Sequence, residues 1–183
     1  MANTVKLKSR EPNVAQIAYI ALGSNRGDSQ QIILQALERL RQLSDEPLLR
    51  ASLWRTAPVE CPPGSAPFIN TAVGLNPREG ETPESLLAKL QELEKAFGRR
   101  PKKILNEPRE LDLDLIAFGG LIRSTDRLKL PHPRTHERAF VLAPLAEIAP
   151  DLVLPKQTKT VRELLEQLGP NVGESVELLG RPG

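Results

Sequence analysis

The chain has 183 residues, with 25 Lys plus Arg against 23 Asp plus Glu, a net charge of +2 with neutral histidines. That length fits one domain with a real core, and the charge balance excludes a nucleic-acid coat or a polybasic membrane binder while leaving room for local basic patches. Hydrophobic residues at 39% and charged residues at 26% lie in the globular range rather than the disordered one. The 17 prolines predict several stiff loops, and with only 3% aromatics each ring near a polar cluster has to be weighed singly. Cys61 is the lone cysteine, so there is no intrachain disulfide and no zinc pattern, and a reducing cytoplasm is the expected compartment. No apolar run is long enough to span a bilayer, and the polar first residues lack the apolar segment of a secretory leader.

In chain order, residues 1–13 read as a flexible tail. Ile17 to Leu22 reads as a strand that stops at Gly23-Ser24-Asn25-Arg26-Gly27-Asp28. Ile32, Ile33, Ala36, Leu37, Leu40 and Leu43 recur at helical steps, with Pro47 closing that region. Leu48 to Thr56 and Phe68 to Leu75 read as the next two strands, joined by a Pro-rich loop from Ala57 to Pro67. Thr82-Pro83 caps and opens a second helix with Leu86, Leu87, Leu90, Leu93 and Phe97 on its apolar side and Gly98 at its end. Arg99 to Arg109 is a basic loop carrying two prolines. Leu111 to Ile116 then alternates apolar and acidic residues as a strand. Gly119-Gly120 reads as a turn, with a short strand around Leu128 to Leu130. Arg138 to Ile148 reads as an apolar helix interrupted by Pro144. Thr160-x-x-Glu163 is a capping box for a last helix ending near Gly169, and residues 170–183 read as a loose tail.

This β-α-β-β-α-β order predicts an α+β, ferredoxin-like core over one domain, residues 14–169, with an antiparallel sheet, two helices packed on one face, and an added C-terminal hairpin and helices.

Asp112 and Asp114 are the sharpest chemical signal. Two residues apart on a strand, they share a face at about 6.5 Å backbone spacing, suited to holding magnesium between them and a substrate phosphate. A bare pair of this kind is more often a solvated strand face; the basic loop before it tips the reading toward a metal-bound polyphosphate. Arg109, three residues upstream, would project near that site and can fork onto phosphate oxygens. Glu94 falls on the apolar side of its helix, where it either snorkels at the core edge or makes a specific hydrogen bond. His132 lies in the rigid Leu130-Pro131-His132-Pro133 and His136 in the loop beyond, each by default a surface histidine. Neither pairs with Cys61 or a serine as a nucleophile system, so covalent catalysis is not expected. Phe68 and Asn70 share a strand face and Phe140 follows a proline-rich loop; such rings are more often core, yet an aromatic beside an amide also suits a flat heterocycle. Neither the P-loop nor the dinucleotide glycine motif is present.

Six ordered blocks carry a resemblance: Ala18-Tyr-Ile-Ala-Leu-Gly-Ser-Asn25, Arg55-Thr-Ala-Pro58, Phe68-Ile-Asn70, Glu94-x-x-x-Gly98-Arg99, Pro108-Arg-Glu-Leu-Asp-Leu-Asp-Leu115, and Leu130-Pro-His132 through Arg138-Ala-Phe140. Spread over about residues 17 to 155, they resemble the 6-hydroxymethyl-7,8-dihydropterin pyrophosphokinases of folate biosynthesis, which transfer pyrophosphate from ATP to the pterin's hydroxymethyl oxygen and release AMP. The resemblance implies that Asp112 and Asp114 ligate two Mg2+ ions, with Arg99 and Arg109 as catalytic phosphate contacts. It implies ATP contacts from Gln91, Glu94, Leu115, Arg127, His132 and Arg138 as well as those two arginines. It further implies that Thr56, Val59 and Asn70 bond the pterin edge while Phe68 and Phe140 sandwich its ring. A monomer acting without nucleic acid or membrane is expected.

Three departures accompany it. Asn106-Glu107 stands where the family often has Trp-Gly, which removes the indole of a stacking lid. Phe68 replaces a common tyrosine, keeping the ring and losing a hydroxyl, and Ala57 replaces a frequent proline. Both substrate loops, Ala57 to Pro67 and Arg99 to Arg109, are expected to close over their ligands. The rival readings are another magnesium-dependent phosphoryl or nucleotidyl transferase and a ferredoxin-like RNA-binding module; the second is disfavoured because the chain puts acids where such sheets present aromatics.

Overall fold

Strand β1, Ala18–Ser24, is buried along its whole length, and in the computed structural model, which describes residues 16–58, 60–100, 107–169 and 176–181, it is one of the central strands of the sheet. The expectations that fall on residues 1–15, on Val59, on 101–106, on 170–175 and on 182–183 lie outside the described residues. Helix α1, Ser29–Arg41, follows, capped by Asp28, whose carboxylate accepts from the Gln31 N–H. The strand expected over 48–56 is divided into β2, Leu49–Arg50, and β3, Leu53–Thr56. The reason lies in the two residues between: the Ala51 N–H donates to Ala72, whereas the Ser52 N–H donates to the Glu147 carboxylate instead of a ladder partner. Strand β4, Phe68–Leu75, keeps the expected bounds, and α2, Pro83–Ala96, starts at the Thr82 cap with Ser85 closing the box.

Strand β5, Asp112–Phe118, precedes a small hairpin of β6, Arg123–Ser124, and β7, Lys129–Leu130. A single 3-10 turn, Thr135–Glu137, leads into α3, Ala139–Ile148. That helix runs through Pro144 without the expected interruption. Proline removes one donor there, but Val141, Leu142, Pro144 and Leu145 are all buried, and that packing offsets the lost bond. Helix α4, Val161–Leu168, has the Thr160/Glu163 capping box and ends at Gly169. Strand β8, Val176–Gly180, corrects the loose-tail expectation: it pairs antiparallel with β3, covering what would otherwise be an open sheet edge. None of its side chains is fully buried, so it shows no alternating signal in the sequence.

The sheet order is β5-β1-β4-β3-β8, with β2 also on β4 and every recorded pair antiparallel. Its first four strands have the order of the ferredoxin-like plan. One face packs Ile20, Leu22, Val73 and Leu113 against Ile33, Leu37, Leu86 and Leu90 of α1 and α2. The other packs Tyr19, Ala21, Ala72 and Ile116 against Leu142, Leu145, Val161 and Leu164 of α3 and α4, so a second helical layer is added to the expected one. That second layer covers only one end of its face. The uncovered end holds the site.

Candidate active site

Register aligns the uncovered end across three strands. Gly23 of β1 pairs with Asn70 of β4 on one side and with Asp112 of β5 on the other, and Ala21 pairs with Ala72 and Asp114. Paired residues share a face, so an amide, a bare backbone and two carboxylates form one polar floor. Gly23 is required there by space: a Cβ would meet Asn70 Oδ1 at 2.8 Å. Over this floor lies a cavity of about 330 Å³, walled by Phe68, Phe140, Thr56 and His132 and by the guanidinium groups of Arg99, Arg109 and Arg138.

The amide end is fixed by one bond, the Asn70 Nδ2 donating to Thr56 Oγ1 at 2.7 Å. Phe140, in the first turn of α3, carries the Arg138 guanidinium 5.4 Å from its ring centre, a cation–π arrangement that holds the arginine toward the acids. At the acidic end Arg109 donates to Asp112 Oδ1 at 2.7 Å, Arg99 stands 3.7 Å from the same oxygen, and Arg138 lies 3.8 Å from Asp114 Oδ2. Burial, and then the neighbouring Asp112 carboxylate, push Asp114 up to about 6. Burial, reinforced by Arg138, pulls His132 down to about 4, so its ring is neutral at pH 7. The Arg134 N–H donates to His132 Nδ1 at 3.3 Å, which assigns the ring proton to Nε2.

Of the residues singled out from the sequence, Thr56, Phe68, Asn70, Arg99, Arg109, Asp112, Asp114, His132, Arg138 and Phe140 come together in this one cavity. Val59 lies outside the described residues. Gln91 and Arg127 are exposed and do not line the cavity, and the Leu115 side chain is buried in the core against the α1 and α2 layer. Glu94 is only 2% exposed, and of the two readings open for it the structure takes the specific bond. Its carboxylate accepts from the Leu113 N–H at 2.8 Å and from the Arg99 guanidinium, and burial raises it to about 7. Glu94 thus stands behind Arg99 rather than at the cavity wall. Sequence reasoning missed Gly23 as the spacer in the floor, and it missed Cys61, Arg134 and Glu137 in the wall. The glycine is legible only once the register is known.

Among the described residues no group of three or more His, Cys, Asp or Glu is placed to hold a metal. The two aspartates still fit a hard divalent cation: both are oxygen donors on one face, their mutual repulsion is relieved by positive charge, and a metal with few protein ligands is usually completed by substrate phosphates and water.

Comparison with known proteins shows the family of the chain. A family model described as 7,8-dihydro-6-hydroxymethylpterin-pyrophosphokinase (HPPK) matches residues 19–150. A 2-amino-4-hydroxy-6-hydroxymethyldihydropteridine pyrophosphokinase of Methylorubrum extorquens is 41% identical over 164 residues, 87% of this chain and 98% of that protein. The enzyme of the same name from Synechocystis is 39% identical over 158 residues, 86% of this chain and 78% of its own. Among solved structures, a Plasmodium falciparum HPPK-DHPS triple mutant with pteroate superposes with a TM-score of 0.64 at 14% identity, over 90% of this chain and 47% of that one. An HPPK-DHPS in complex with substrates gives 0.59 at 13% identity, over 82% of this chain and 43% of that one. The chain therefore spans less than half the length of these solved chains, and at such identity they support the fold alone. The match of the family model and the two near-40% relatives settle the affiliation: the chain belongs to the 7,8-dihydro-6-hydroxymethylpterin-pyrophosphokinase family.

Proposed function

We propose that this protein transfers the terminal pyrophosphoryl group of ATP to the hydroxymethyl oxygen of 6-hydroxymethyl-7,8-dihydropterin, giving the dihydropterin pyrophosphate and AMP, a step of folate biosynthesis. One observation carries the residue-level reading: the row Asn70–Gly23–Asp112 puts an amide for a heterocycle edge and a carboxylate for a cation side by side in one cavity. Phe68 and Phe140 take the ring of the pterin, while Asn70 and Thr56 bond its edge. Asp112 and Asp114 would hold Mg2+, two ions being expected with ATP, and a cation bound there would supply neutralisation of phosphate charge and a lowered pKa for the attacking hydroxyl. Arg99, Arg109 and Arg138 bind phosphate oxygens, and His132 donates from Nε2 without adding a charge.

In the reaction the hydroxymethyl oxygen bonds to the β-phosphorus and gives up its proton to solvent, the bond between the β-phosphorus and the oxygen bridging to the α-phosphate breaks, and AMP leaves with that electron pair. Such a transfer asks for alignment and charge neutralisation more than for a strong base, which is what a site lined by Arg99, Arg109 and Arg138 offers. The working form is a cytoplasmic monomer, in keeping with the lone Cys61. Acids rather than aromatics on the sheet floor disfavour the RNA-binding reading.

The test is AMP release from ATP and Mg2+ with and without the pterin. AMP appearing only with pterin, matched by pterin pyrophosphate, is the expected outcome; its absence from folded protein refutes the reading. Asp112→Ala and Asp114→Ala should each lower turnover by at least about a hundredfold at saturating Mg2+, on the order expected when charge stabilisation of a transition state is lost.

A further inference from the structure

The β1 block ends in Asn25, a residue to which the reaction above gives no part, and it is 5% exposed with each polar atom of its side chain engaged across the fold. Its Oδ1 accepts from the Arg109 N–H at 2.9 Å while its own N–H donates to the Arg109 carbonyl at 3.2 Å, so the Arg109 backbone is held at two points. Its Nδ2 donates to the Ala66 carbonyl at 3.2 Å, two residues before Phe68. Arg109 in turn holds Asp112, and Phe68 begins the strand that carries Asn70.

We propose that Asn25 is a positioning residue that couples the two halves of the site, tying the segment that sets the pterin wall to the segment that sets the phosphate and metal wall. The inference rests on the family reaction taking place in this cavity. The physical argument is one of shared ordering. Asn25 is seated in a buried strand end, so whatever fixes Arg109 also fixes the Asn25 amide plane, and that plane sets the donor for Ala66. Nucleotide bound at Arg109 therefore lowers the ordering cost of the pterin wall, and pterin bound at Phe68 lowers the cost at Arg109, the reciprocity that any such link must obey.

Asn25→Asp separates the two links. The carboxylate keeps an acceptor for the Arg109 N–H and loses the donor to Ala66. Asn25→Ala removes both side-chain links and keeps only the backbone bond to Arg109. Pterin affinity is measured by titration calorimetry with and without saturating α,β-methylene-ATP and Mg2+, an analogue whose α–β bridge cannot be cleaved. In the wild type, nucleotide tightens pterin binding; in Asn25→Asp that tightening shrinks by roughly two- to tenfold, as expected for one hydrogen bond, while affinity for the nucleotide alone stays within about twofold. In steady state, Asn25→Asp raises KM for the pterin with little change in KM for ATP, whereas Asn25→Ala raises both. A merely structural asparagine would lower the melting temperature and leave the coupling ratio and both KM values at wild-type levels, and that result overturns the proposal. So does a wild-type protein in which nucleotide leaves pterin affinity unchanged. Because wild-type turnover is measured on the same preparation, absence of pterin-dependent AMP would refute the family reaction itself, while normal turnover with unaltered coupling in both variants refutes only the role of Asn25.

Discussion

Glu94 offers a quantitative test of the electrostatics behind the site. Its carboxyl group titrates near 4.5 in an unfolded chain and at about 7 in the fold, because burial penalises the charge more than Leu113 and Arg99 stabilise it. Below pH 4.5 it is protonated in both states. Between 4.5 and 7 the unfolded chain gives up the proton while the folded one keeps it, so stability falls as pH rises, and above 7 the loss is complete. The interval from 4.5 to about 7, at 1.36 kcal/mol per pH unit, makes that loss about 3 kcal/mol. Glu94→Gln preserves a carbonyl acceptor for the Leu113 N–H and has no proton to lose. Urea denaturation at pH 5, 6, 7 and 8, without nucleotide or metal, should therefore show wild type losing about 2.5 kcal/mol relative to the variant across that range, the remainder having been lost below pH 5. Taking the difference between the two proteins removes the shared contributions of Asp114, whose raised value acts in the same direction, and of His132, whose lowered value acts in the opposite one. Parallel stability curves for the two proteins would refute the assignment of a buried, reluctantly ionised Glu94.

Two further substitutions probe the pterin side. Gly23→Ala brings a Cβ to 2.8 Å from Asn70 Oδ1, which displaces the amide from its bond to Thr56; KM for the pterin should rise by about tenfold while KM for ATP holds, and equal changes in both would place Asn70 elsewhere in the reaction. Phe140→Ala removes one face of the ring wall and should weaken pterin binding by at least about tenfold, measured by calorimetry, with a smaller effect on nucleotide binding through the loosened Arg138; losses of equal size would refute the sandwich.

Much of the fold was legible because local signals and tertiary demands agree. Phe68–Leu75 is a run of apolar and β-forming residues of strand length that is buried almost throughout, and Thr82-Pro83 and Thr160-x-x-Glu163 state their helix starts chemically, so those elements fall where the sequence puts them. The misreadings share one cause: a tertiary partner overrides a local rule. Glu147, nearly a hundred residues along the chain, takes the Ser52 N–H out of the ladder and divides β2 from β3. Core burial carries α3 through Pro144. The open edge of β3 recruits Val176–Gly180, whose side chains carry no apolar period of their own.

The same distinction explains the site. Asp112 and Asp114 could be paired from the sequence because a strand repeats every two residues, so the relation between them is local. The relation that makes them useful is not local. Asn70 and Asp112 lie on different strands, and only the register through Gly23 sets them in one row. A glycine there reads from sequence as the end of a strand; its purpose, leaving space for Asn70 Oδ1, belongs to the neighbouring strand. Glu94 shows the converse. Its place on an apolar helix face was visible, but whether it snorkels or bonds depends on the Leu113 N–H of another element. Strand and helix periods thus reveal which side chains share a face. The reason a carboxylate, an amide or a bare backbone occupies that face is carried by the partner across the ladder, and it is at those cross-strand contacts that substitutions should separate pterin binding from nucleotide binding.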